Sequence, residues 1–121
     1  MKLLLTVFAA LMLSLLYSCE YNNEEDLYPQ PTCDTSNVTY SGTIVHIIST
    51  NCYECHDLAA IPSGIPLEGY QNLKNQVDAG RLLGAIKHLS GFSPMPKDRG
   101  SLPDCDIMKI EKWVNDGAPN N

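Results

Sequence analysis

Cys52-Tyr53-Glu54-Cys55-His56 is the stretch on which the reading of this 121-residue chain turns. Two cysteines three positions apart lie on one side of a helical turn, and a histidine follows at once. Upstream, Tyr40, Ile44, Ile47 and Ile48 fall at i, i+4, i+7 and i+8, which reads as an amphipathic helix over 40–52 running into the pentapeptide. Downstream, residues 57–67 are loop, punctuated by Pro62, Gly64 and Pro66. Tyr70, Leu73 and Val77 mark a short helix with Gly80 as its stop, and Leu82, Leu83 and Ile86 mark another. From Ser90 to Ser101 the chain is too rich in Gly and Pro for helix or strand. The last helix is the best signposted. Pro103 suits its first turn, Asp104 and Asp106 complement the dipole there, and Gly117 with Pro119 ends it. Ile107, Ile110, Trp113 and Val114 define its buried face. No alternating pattern of useful length and no internal repeat is visible. The expected fold class is all-α.

The chemistry of the pentapeptide follows from its spacing. Cys-x-x-Cys-His is the attachment signature of a c-type haem: two thiols add to the two vinyl groups of one porphyrin, and the adjoining imidazole of His56 reaches the iron. A thioredoxin-like redox pair would want a βαβ pattern nearby, and none is visible. A zinc site would want a second pair of ligands at matching spacing, which Cys33, Cys105, His46 and His88 do not form. A plain disulfide between Cys52 and Cys55 leaves His56 unexplained.

The other face of the iron needs a ligand as well. Beyond the leader described below, the chain has only Met95 and Met108 as methionines. Met108 falls well off the apolar face of the last helix and reads as a partly exposed helical residue. Met95 sits in Ser93-Pro94-Met95-Pro96, where flanking prolines pre-order an extended segment and so favour a weak Fe–S bond. The bland alternative is a gap-filling core methionine. His46 is too close to the motif to reach around a haem. His88, at a helix end where a cation suits the dipole, is the remaining rival. Lys97 and Arg99 read as solvated loop charges, with pairing to a haem propionate as the alternative.

The two ends of the chain have other tasks. Lys2 followed by an apolar run through Leu16 has the layout of a secretory signal over 1–18, too short for a comfortable membrane span. Leu16-Tyr17-Ser18-Cys19 resembles the lipobox of bacterial lipoproteins, and that resemblance implies that Cys19 becomes a lipidated N-terminus. The alternative is an ordinary signal peptide that leaves Cys19 a free thiol. Residues 19–32, acidic and Pro/Asn-rich, read as a solvated tether. The domain then spans 33–121. Loss of Lys2 with the leader takes the formal charge from −6 to −7, an acidic balance that argues against nucleic-acid binding. An apolar fraction of 44%, inflated by the leader, is thin for a small domain, so a staple or a cofactor is expected. Cys33 and Cys105 stand at opposite ends of that domain. In an oxidising compartment a disulfide between them is favoured over two free thiols, worth on the order of 4 kcal/mol by loop-closure entropy.

With the haem motif at 52–56, Ser-Pro-Met-Pro-Lys at 93–97 and Trp-Val-Asn-Asp-Gly-Ala-Pro at 113–119, the chain resembles a small class I cytochrome c. More narrowly, it is similar to the monohaem cytochrome c lipoproteins of Bacteroidetes-type bacteria. The resemblance covers about residues 33–121. It implies a small helical domain wrapped around one covalent haem c, thioethers from Cys52 and Cys55, axial His56 and Met95, and first and last helices crossing beside the haem. His46 stands where such proteins often show Pro. The implied function is outer-sphere electron transfer by an exported, lipid-anchored monomer of the cell envelope, with transient redox protein partners and no catalysis of its own. The alternatives are a haem-based sensor, which needs Met95 to leave the iron readily, and a redox subunit of a larger respiratory enzyme.

Overall fold

Thr39 opens the first helix. Its backbone is extended (φ −117°, ψ 156°), and its side-chain oxygen accepts the N–H of Gly42, as an N-cap does. A Cβ on residue 42 would lie 2.8 Å from that oxygen, so glycine is what allows the cap to close. The computed structural model describes residues 32–59 and 64–121. The proposed leader, Cys19 and the tether as far as residue 31 lie outside the described residues.

The helix predicted over 40–52 is present, with a difference at each end. It begins as a π-helical turn, Tyr40–Ile44, closed by the Val45 N–H on the Tyr40 carbonyl, and continues as α1, Val45–Asn51. The Ile44 N–H likewise reaches back five residues to the Thr39 carbonyl, 3.1 Å away, so the opening turn is wide. At the other end Cys52 leaves helical geometry (φ −125°, ψ −31°), and a separate single turn, α2, Tyr53–His56, carries the motif. Ile44, Ile47 and Ile48 are buried and His46 is exposed, as the periodicity requires.

After the 57–69 connection come α3, Tyr70–Asp78, and α4, Arg81–Ile86. Gly80 joins them in the left-handed region (φ +68°), a backbone state that a side chain resists. The final helix, α5, runs Asp104–Asn115. Pro103 caps it rather than entering its first turn: its backbone is extended (ψ 139°) while its carbonyl accepts the Asp106 and Ile107 N–H groups. Gly117 (φ +92°) ends it, with Ala118 N–H on the Trp113 carbonyl and Gly117 N–H on that of Val114. Among the described residues every regular element is helical and none is a strand, so the domain is all-α. None of these helices is long and apolar enough to cross a membrane.

The core draws on the π-helical turn, α1, α3, α4 and α5, while α2 buries no residue. Ile44, Ile47 and Ile48 meet Leu67, Leu73, Leu82, Ile86, Leu102, Ile110, Trp113 and Ala118, and no buried polar side chain interrupts them. The π-helical turn packs against α5, so the first and last helices touch. Tyr40 stacks on Trp113 with ring centroids 5.9 Å apart and meets Tyr70 edge-on at 5.1 Å. Polar groups of this cluster bond to the C-terminal segment. Trp113 Nε1 donates to the Pro119 carbonyl (2.9 Å), the Tyr70 hydroxyl to that of Ala118 (2.8 Å), and the Tyr40 and Ser41 N–H groups to Asn121.

Cys33 and Cys105 are joined in a disulfide with Cα atoms 5.3 Å apart and a sequence separation of 72. It ties the start of the domain to the first turn of α5. Cys33–Asn121 forms one compact unit of its own.

Candidate functional site

Cys52 starts the site. Its N–H still bonds the Ile48 carbonyl (2.8 Å), while its own carbonyl accepts from Cys55 (3.1 Å) and His56 (3.0 Å). The motif is therefore one tight turn hung from the end of α1. Neither cysteine is in a disulfide. They differ in setting. Cys52 packs against the core, and burial pushes its thiol up to about 11, whereas Cys55 is exposed. Tyr53 lies half-buried against the same core, and its hydroxyl is raised mainly by that burial.

His56 is held by the chain that follows it. Its Nδ1 lies 2.7 Å from the carbonyl oxygen of Ile65. A carbonyl can only accept, so Nδ1 carries the hydrogen, and in the neutral ring Nε2 keeps its lone pair. The backbone fixes the same junction: Leu67 N–H donates to the His56 carbonyl (2.8 Å) and Leu58 N–H to the Glu68 carboxylate (3.0 Å). The connection after the motif is thus drawn shut at its base, and His56 is oriented by it.

Met95 is placed by α4 and the turn after it. Its N–H donates to the Ala85 carbonyl (3.1 Å), and its own carbonyl accepts from His88 Nε2 (3.0 Å). Met95 is half-buried and Met108 is 49% exposed on α5, which separates the two methionines in the sense the helical phase predicts. Between α4 and Met95 the chain folds back on the helix. Leu89 N–H bonds the Gly84 carbonyl (2.9 Å), and the Phe92 ring lies where a side chain on residue 84 would be, 2.6 Å from an added Cβ.

One ion pair bridges the segments of the two candidate ligands. Arg99, four residues after Met95, pairs with Glu54 inside the motif. Arg99 and Lys97 are both exposed, as solvated loop charges should be, and Arg99 adds this surface pair. Apolar surface gathers on the same segments. Leu58, Ile65, Leu89 and Phe92 are, with Met108, the large hydrophobic side chains left exposed among the described residues.

No family model matches the chain, and neither the curated proteins nor the solved structures compared with it provide a match. The site is therefore read on its own geometry. Among the described residues no three His, Cys, Asp or Glu side chains gather as they would around a bare metal ion. The Ile65 carbonyl, the Ala85 carbonyl and the Glu54–Arg99 pair were not anticipated from the sequence. The first two are backbone atoms with no residue signature. The third joins charges that were visible, across 45 positions over which nothing local links them.

Proposed function

We propose that this chain is a monohaem c-type cytochrome of the class I kind, a helical domain wrapped around one covalent haem, which carries electrons and catalyses nothing alone. The observation that carries this reading is the bond between His56 Nδ1 and the Ile65 carbonyl. It leaves Nε2 as the donor atom of an imidazole that directly follows two thiols at attachment spacing. When bound, the haem supplies a one-electron iron couple. The chain's own residues do the rest. Cys52 and Cys55 would hold the group as thioethers, and His56 and Met95 would ligate its iron through imidazole and thioether, keeping other ligands from the metal. Leu58, Ile65, Leu89 and Phe92 offer apolar surface to keep water from it.

The contact between the π-helical turn and α5 agrees with the crossing first and last helices of that family. Cys19 lipidation would hold the exported protein at a membrane of the cell envelope without a span. There it would meet other redox proteins as a monomer, through small transient interfaces.

Mature protein from a host equipped for cytochrome assembly should be coloured and should change its visible spectrum on adding dithionite. It should weigh one haem more than polypeptide plus lipid. Colourless material at the mass of the unmodified chain would end the reading. Met95→Ala should lower the reduction potential and admit carbon monoxide to the reduced protein. An unchanged spectrum would remove Met95 from the ligand set, and rapid carbon monoxide binding by the unaltered protein would favour a sensor.

A further inference from the structure

Pro94-Met95-Pro96 contains a single backbone N–H, that of Met95, because proline has none. That donor goes to the Ala85 carbonyl at 3.1 Å, and the Met95 carbonyl accepts from His88 Nε2 at 3.0 Å. Both main-chain polar groups of Met95 are thus held by one short stretch of chain, the end of α4 and the turn just beyond it. The same Ala85 carbonyl accepts the His88 N–H (3.2 Å), so the two anchors are themselves connected. His88 adopts φ +51°, in the left-handed region. A non-glycine residue stays there only where its surroundings hold it, and such positions gather at functional sites.

We propose that His88 is the positioning residue for Met95: its Nε2–H grips the Met95 carbonyl and so keeps the thioether at the iron. The proposal rests on the haem reading above and gives His88 a role within it. The bond also takes His88 Nε2 out of the set of possible iron ligands. The acceptor is a carbonyl, so Nε2 carries hydrogen and has no lone pair to offer. A ligand whose backbone is already fixed loses little freedom on binding, and that strengthens a weak Fe–S bond.

The test compares His88→Leu, which cannot donate, with His88→Gln, whose amide can. Both are made in haem-loaded protein, and thermal unfolding is followed alongside. His88→Leu should raise the rate of cyanide binding to the oxidised protein roughly fivefold to tenfold, the equivalent of one lost hydrogen bond. It should also weaken the far-red iron–thioether absorption and lower the reduction potential. His88→Gln should restore all three toward the unaltered protein. Should His88→Leu fail to fold, His88→Glu against His88→Gln makes the same comparison between a non-donor and a donor of one size. If the non-donor matches the unaltered protein in cyanide rate and thioether absorption, the positioning role is overturned while Met95 stays a ligand. A Gln variant that unfolds normally yet behaves like the non-donor overturns it equally. If the unaltered protein lacks the thioether absorption, both the proposal and the assignment of Met95 fall.

Discussion

Two regions of the domain are finished in different ways. Around Trp113, three aromatic rings are packed together, the Trp113 and Tyr70 polar groups are bonded, and Trp113 itself is 0% exposed. Around Cys52–His56 and Met95 the backbone is as thoroughly tied, yet Leu58 is 57% and Leu89 48% exposed. The first region is complete with the polypeptide alone. The second has its backbone bonded but keeps large apolar side chains at its surface.

The largest effect should come from the staple that serves the finished region. Cys33→Ser with Cys105→Ser removes a link spanning 72 positions, for which loop closure predicts a loss of about 4 kcal/mol. Urea unfolding should shift strongly toward lower denaturant, while the visible spectrum of the haem-loaded protein stays as it was. A spectrum altered before any unfolding would show that the two regions are not independent.

Gly84→Ala should act on the open region instead. An added Cβ would sit 2.6 Å from the Phe92 ring, closer than real contacts allow. Overpacking of this kind costs about 1–3 kcal/mol and outweighs the roughly 1 kcal/mol of helix propensity gained. Because Phe92 lies between α4 and Met95 in the chain, the variant should also loosen Met95 and speed cyanide binding. Adding Phe92→Ala should recover stability, since it removes the ring that collides. A single Gly84→Ala variant as stable as the unaltered protein would mean that the ring swings aside without consequence.

What the sequence discloses divides along the same line. The helices around the core are legible because apolar spacing is a local property: Tyr40, Ile44, Ile47 and Ile48 announce the first helix, and Ile110 with Trp113 the last. Cys33 and Cys105 can be paired from the sequence because an expected export to an oxidising compartment and their positions leave them few other fates. The pentapeptide and Met95 stand out as residue types. Their supports do not, because Ile65 and Ala85 act through carbonyl oxygens that any residue would possess. His88 reads from the sequence as a rival to Met95 rather than as its hydrogen-bond partner, because a histidine's sequence position does not tell which ring nitrogen carries hydrogen or what accepts it. The π-helical start was hidden too, since Thr39 and Gly42 cooperate through a contact visible only once the turn has formed.

The smallest effect tests whether the bridge across the open region matters at all. Glu54 and Arg99 are 68% and 56% exposed, so their pair contributes less than about 1 kcal/mol to folding and is screened by salt. Glu54→Gln should leave unfolding nearly unchanged. It should still speed cyanide binding slightly in dilute buffer, because the pair joins the motif to the segment that carries Met95. Lys74→Gln is the control: it breaks the Lys74–Asp78 pair, which lies within α3 and joins neither the motif nor the Met95 segment. A similar small stability loss with no change in cyanide binding is expected of it. In high salt the unaltered protein should approach the Glu54→Gln rate, and the variant should respond less. Equal responses of both variants at every salt concentration would reduce the Glu54–Arg99 pair to ordinary surface charge and leave the hydrogen bonds to Met95 as the restraint that acts there.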